Sequence, residues 1–127
     1  MYQFQKHFSL EEARALLPQL RRTFREAHRA QKELTRHDVE LGRRLSETGG
    51  DLGGAGPSEL VRLLVALNGL LQEVRMLGLV VKDVDRGLVD FPHLRDGREV
   101  FLCWELDEDD IEFWHELDTG YAGRERL

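Results

Sequence analysis

The chain has 127 residues, a formal net charge of -6, and is 41% hydrophobic and 33% charged. That is enough for a single domain with a core of ordinary size. No apolar run can span a bilayer, Met1 to His7 lacks the apolar stretch of a signal peptide, and the lone Cys103 excludes an internal disulfide; the expectation is a cytoplasmic protein without a membrane association.

The charge is divided. Residues 1–78 hold 12 Lys+Arg against 10 Asp+Glu, and residues 79–127 hold 6 against 14. A C-terminal part this acidic repels phosphate backbones, so no nucleic-acid partner is expected there; it attracts cations or basic partners.

Ser9-Leu10-Glu11-Glu12 reads as a capping box, with Phe8 in the stapling position, opening a first helix to about residue 48. Leu10, Ala13, Leu17, Leu20, Phe24, Ala27, Gln31, Leu34, Asp38, Leu41 and Leu45 alternate spacings of three and four, a coiled-coil seam interrupted at Gln31 and Asp38. Pro18 predicts a kink or break. Residues 49–57 contain five glycines and read as a flexible hairpin loop. They lack the Gly-Lys-Ser/Thr of a phosphate loop, so no nucleotide cofactor is expected. A second helix over 58–78 carries a wide Leu/Val stripe, weakened at Asn68-Gly69 and capped by Gly78. The two helices differ in length, which predicts a projecting part of the first helix and a homo-oligomer, a dimer, through the helices.

Residues 79–127 change to short strands. Leu79–Lys82 and Leu88–Phe91 form two, Pro92 ends the second, and Asp96-Gly97 signals a hairpin turn. Glu99–Leu106 and Ile111–Glu116 are the next pair. Pairing Leu106 with Ile111 sets Trp104 opposite Phe113 and Leu102 opposite His115, which keeps apolar residues together. That register leaves His115 on the apolar face with Val100, Leu102 and Trp104, and Cys103 on the other beside Trp114. The predicted architecture is α+β: one domain with a long antiparallel helical hairpin followed by a small antiparallel β-meander.

Lys82-Asp83, Arg86-Gly87-Leu88-Val89-Asp90-Phe91-Pro92, Leu102-Cys103-Trp104, Trp114-His115, and then Asp118, Gly120, Tyr121, Ala122, Gly123 and Arg124 resemble the bacterial family catalogued as domain of unknown function 2203. Phe8-Ser9-Leu10-Glu11-Glu12-Ala13 and Leu16-Leu17-Pro18 resemble its N-terminal signature. The resemblance implies no activity.

The candidate chemistry gathers in the last third. His115, Asp118 and Asp90, with Cys103 ranked below them because it points to the opposite face, offer a mixed N/O/S donor set for zinc, iron, nickel or manganese. The competing reading is a hydrogen-bonded core histidine, a strand-end aspartate and an inert cysteine. Asp83, Asp85, Asp90 and Glu105 form a second possible carboxylate cluster, against simple Asx turns at Asp83 and Asp85. Arg86 and Arg124 stand ready as its ion-pair partners or as an anion site. Gly120–Arg124 reads as a docked tail, and Asp107–Asp110 as a solvated turn without calcium-loop spacing. No Gly-x-Ser-x-Gly occurs. A metal-binding domain and a non-catalytic helical interaction module are the two leading readings. A small metal-dependent hydrolase additionally needs a pocket. The sequence identifies no small-molecule ligand.

Overall fold

The computed structural model describes residues 1–48 and 56–127. Two helices, α1 (Leu10–Thr48) and α2 (Gly56–Met76), precede the strands β1 (Val80–Asp83), β2 (Leu88–Arg95), β3 (Arg98–Trp104) and β4 (Phe113–Glu116). A short 3-10 turn over Tyr121–Gly123 then leads into β5 (Glu125–Arg126). The α+β class follows the prediction. The glycine-rich stretch 49–55 lies outside the described residues. No described helix is long and apolar enough to cross a membrane.

The start of α1 is set by local chemistry. The Ser9 N–H donates to Glu12 Oε1 at 2.9 Å, and the Glu12 N–H donates to Ser9 Oγ at 3.0 Å. Two of the backbone donors that a helix end leaves unpaired are thereby satisfied reciprocally. Pro18 lies inside α1 without interrupting it. Seam residues Ala13, Leu17, Leu20, Phe24 and Ala27 are buried. The first four pack with Phe8, Val74, the strand residues Val89, Phe91, Val100, Leu102, Trp104 and Trp114, and Ile111 in one core, to which α1 lends its first half. The length that α1 has in excess of α2 thus lies on the sheet rather than projecting.

The five strands are antiparallel and run in sequence order, β1-β2-β3-β4-β5. The predicted turn appears at Asp96-Gly97, with φ of 52° and 80° and Arg95 paired with Arg98. Both central residues adopt the left-handed conformation that a two-residue type I′ hairpin requires. Gly78, at φ 98°, ends the second helical segment as expected.

Two strand expectations differ. Pro92 does not end β2; it pairs with Phe101, and β2 continues to Arg95. The pairing of β1 with β2 stops at Asp90, so beyond it β2 has a free edge. The Pro92 carbonyl accepts the Phe8 N–H at 2.7 Å on that edge. In an antiparallel ladder the N and C=O of one residue point to the same side, so proline's missing donor falls where no strand needs it.

The register of β3 and β4 also differs. Leu102 pairs with Trp114, and Phe101 with His115. The expected four-residue link is in fact a longer anchored turn. Glu105 N–H donates to Glu108 Oε1 and Trp104 Nε1 donates to the Glu108 carbonyl, both at 2.9 Å. Ile111, fully buried, is drawn into the core rather than laid opposite Leu106. With the strands separated by this turn, alternation counted outward from Leu106 and Ile111 arrives one residue out of phase.

Gly87 shows where the turn before β2 meets the core. Its φ is +60°, and an added Cβ would lie 2.7 Å from Leu106 Cβ. Gly97, at φ +80°, has open space around it. Gly87→Ala is therefore expected to destabilise by more than about 1 kcal/mol, and by more than Gly97→Ala. Urea denaturation of the two variants checks the order.

Candidate metal centre

The shifted register changes which side chains meet. Pairs Asp90–Cys103 and Cys103–Phe113 put these three residues on one face, and Pro92–Phe101–His115 forms the next row on that face. This is the face away from the helices. β3 is the middle strand and is buried on both sides from Val100 to Trp104, so the second face needs its own cover. Phe4 packs edge-on against Phe101, with ring centroids 5.3 Å apart. The C-terminal tail supplies the rest, with the Arg124 guanidinium 3.9 Å from the centre of the Phe113 ring.

Beneath this cover lie Asp90, Cys103 and His115, each about 1% exposed. One ligand atom from each falls within 4.8 Å of the others. They come from β2, β3 and β4 in order. The imidazole of His115 reaches diagonally over β3, and its Nε2 lies 3.0 Å from Asp90 Oδ1. Its Nδ1 donates to the Glu116 carbonyl at 2.7 Å. A carbonyl only accepts, so Nδ1 carries a proton; Nε2 is the atom turned toward the cluster, and its hydrogen bond with Asp90 takes one further proton, held on the ring or on the carboxyl. Burial pushes the Cys103 thiol up to about 12, and the Asp90 carboxylate beside it acts in the same direction; the Arg124 charge opposes them.

The expectation that Cys103 and His115 occupy opposite faces is corrected by the register. They share one face, and Cys103 ranks with Asp90 and His115 rather than below them. Asp118 is not part of the cluster. It is exposed in the turn that follows β4, where the chain has left the plane of the strands.

Arg86 and Arg124 are in ion pairs. Arg86 meets Glu105, with Nη2 2.6 Å from Oε2, and stacks 4.2 Å from the Tyr121 ring centre. Tyr121 donates its hydroxyl to Glu105 Oε1 at 3.1 Å. Arg124 pairs through one Nη with both oxygens of Glu108, at 2.8 and 2.6 Å, and only 7% of its side chain is exposed. Its buried Nε has no hydrogen-bond partner. The carboxylate cluster of Asp83, Asp85, Asp90 and Glu105 is not assembled. Asp83 Oδ1 accepts the Arg86 N–H at 3.2 Å in a local turn, while Asp90 faces Cys103 and His115.

Glu108 and Glu99 were not singled out by the sequence. Glu108 is one of four acids in a row and carries no distinguishing mark, yet it closes the β3–β4 turn and holds the tail. Glu99 accepts the N–H groups of Gln3 and Phe4, at 2.8 and 3.0 Å, and lies 2.7 Å from His7 Nε2. It thereby fixes the segment that covers Phe101. Three grooves among the described residues lie along α1 and at the Arg14–Asp110 corner, lined by none of Asp90, Cys103 and His115.

Among known families, one described as "Uncharacterized conserved protein (DUF2203)" matches residues 6–127. No curated protein and no solved structure matches.

Proposed function

From the premise that the chain belongs to this uncharacterised conserved family, we propose that it binds one divalent transition metal ion, zinc in preference, at Asp90, Cys103 and His115. The observation that carries the reading is the convergence of N, O and S donors from three adjacent strands on one buried point. Tetrahedral zinc with bonds near 2.0–2.3 Å needs donors about 3.4–3.8 Å apart, so adjustments of about 1 Å suffice. Ionised Asp90 and Cys103 balance the ion's two charges, and a thiolate favours zinc or iron over manganese. The Glu116 carbonyl orients His115 as an outer-shell acceptor orients a metal-bound imidazole. Three protein donors leave the fourth tetrahedral position to a water or other small ligand. The burial of all three donors supports an ion that acts as a clamp across β2, β3 and β4.

Metal analysis of the full chain, purified without a histidine tag, tests this. Near-stoichiometric metal is expected, lost in His115→Ala and Cys103→Ser. Cobalt should give a thiolate charge-transfer band that Cys103→Ser abolishes. Substoichiometric metal, unchanged by His115→Ala, overturns the reading.

The raised thiol sets two pH dependences. Metal uptake displaces the Cys103 proton and the one between His115 Nε2 and Asp90, so apparent affinity should rise at least about tenfold per pH unit across the neutral range. In the metal-free chain the unfolded thiol ionises near 9 while the folded one waits until about 12. The folded state then holds the extra proton, so stability falls as pH rises through that window. Denaturation at stepped alkaline pH should show this slope, and Cys103→Ser should remove it.

Self-association through the helices is a second reading. It is favoured by the exposure of Val39, Val61, Leu64 and Val65, each more than half exposed.

A further inference from the structure

The distal half of the helical hairpin is apolar without being buried. From Leu60 to Leu71 α2 carries eight Leu and Val side chains, and none is buried. Leu60, Leu63, Leu67, Leu70 and Leu71 are half-buried on the side facing α1. A second stripe, Val61, Val65, Asn68 and Gln72, follows spacings of four, three and four on the outer side, all exposed. Met76, 85% exposed, lies beside its C-terminal end. The stripe contains no charge. Leu64 and Val39 extend it into an apolar groove between the two helices, which Leu34 and Leu60 also line.

A helix with half-buried leucines on one side and exposed, uncharged Val61 and Val65 on the other has more apolar surface than one partner helix covers. A 4-3-4 stripe is the repeat by which helices pack along one another, and a single asparagine within it fixes register and partner.

The charges beside the stripe select the occupant. Arg62 and Glu73 lie on the same flank, near opposite ends. Arg62 is exposed and pairs only with Glu59 of its own helix. Glu73 is exposed and has no cationic partner among the described residues; it accepts only a 3.5 Å contact from Gln19. If two copies of α2 lie antiparallel about a twofold axis, Arg62 of each faces Glu73 of the other, and the two Asn68 side chains meet near the axis. Parallel packing about a twofold axis would put this flank on opposite sides of the seam in the two copies, so that neither Arg62 nor Glu73 met its counterpart.

We propose that the outer stripe of α2 is an isologous, antiparallel dimer interface with a second copy of this chain. The inference rests on the self-association reading and names its face and geometry. Two hairpins joined this way form a four-helix layer that leaves both sheets on the outside.

Sedimentation velocity of the full chain across the micromolar range tests it. A concentration-dependent dimer is expected, with or without zinc. Val65→Lys should give a monomer of unchanged circular dichroism, since the position is two-thirds exposed in one copy. Arg62→Glu and Glu73→Arg should each raise the dissociation constant several-fold, and the double reversal should restore it. A monomer at every concentration overturns the self-association reading and the interface together. A dimer indifferent to Val65→Lys leaves self-association standing and overturns this face. A double reversal that fails to restore binding overturns the antiparallel arrangement.

Discussion

Replacing His115 with alanine is expected to destabilise the metal-free protein by about 3–5 kcal/mol, the cost of breaking a buried acid–imidazole pair by removing one partner. His115 and Asp90 are both about 1% exposed and meet at 3.0 Å. Removing the imidazole leaves Asp90 with only the Cys103 thiol beside it, and leaves the Glu116 carbonyl short of a donor. The loss of the ring contact with Phe101, whose centroid lies 5.4 Å from that of the imidazole, adds to it. Removing both polar groups is a different matter. Asp90→Leu with His115→Leu is expected to recover most of the loss, because the buried acid is then gone together with its partner. Urea denaturation of both singles and the double closes the cycle. A loss below about 1 kcal/mol in His115→Ala would mean that water reaches Asp90. Zinc separates the two roles of the residue. Ligand at a hundredfold excess over its dissociation constant adds about 2.7 kcal/mol to the wild-type chain and nothing to a variant that has lost the site.

Trp104→Ala is the second large effect, again about 3–5 kcal/mol, through the cavity it opens. Trp104 is fully buried, in contact with the helix-facing core, and its indole N–H donates to the Glu108 carbonyl at 2.9 Å. It therefore ties the core to the turn that sets the β3–β4 register. Trp104→Phe keeps most of the apolar volume but removes the donor, and should cost about 1 kcal/mol for the hydrogen bond plus a smaller packing term. A shift of the urea midpoint with unchanged slope would identify both as effects on the native state. If Trp104→Phe were as damaging as Trp104→Ala, the Glu108 contact rather than the volume would be the larger contribution.

Much of this chain's structure follows from neighbouring residues. The Ser9–Glu12 box, the stop at Gly78 and the Asp96-Gly97 turn each depend on a few adjacent side chains and on backbone conformations that only some residues adopt. The seam from Ala13 to Ala27 is legible for the same reason, since helical periodicity is a local property. Asp90, Cys103 and His115 were also legible as candidates, because an acid and an imidazole in apolar strands must find partners. Their grouping was not. It depends on a one-residue phase between β3 and β4, and that phase is set by Glu108, Trp104 and Ile111 in a turn anchored across the fold. Asp118 looked equivalent to Asp90 in sequence, and only the course of the chain after β4 sends it to solvent. Pro92 looked like a strand breaker, and only the vacant edge of β2, closed by Phe8, makes it harmless. The amino-acid sequence by itself determined the helices, the turns and the donor types. The tertiary structure decided the pairing of strands and therefore which donors meet, because register is fixed by contacts between residues far apart in the chain.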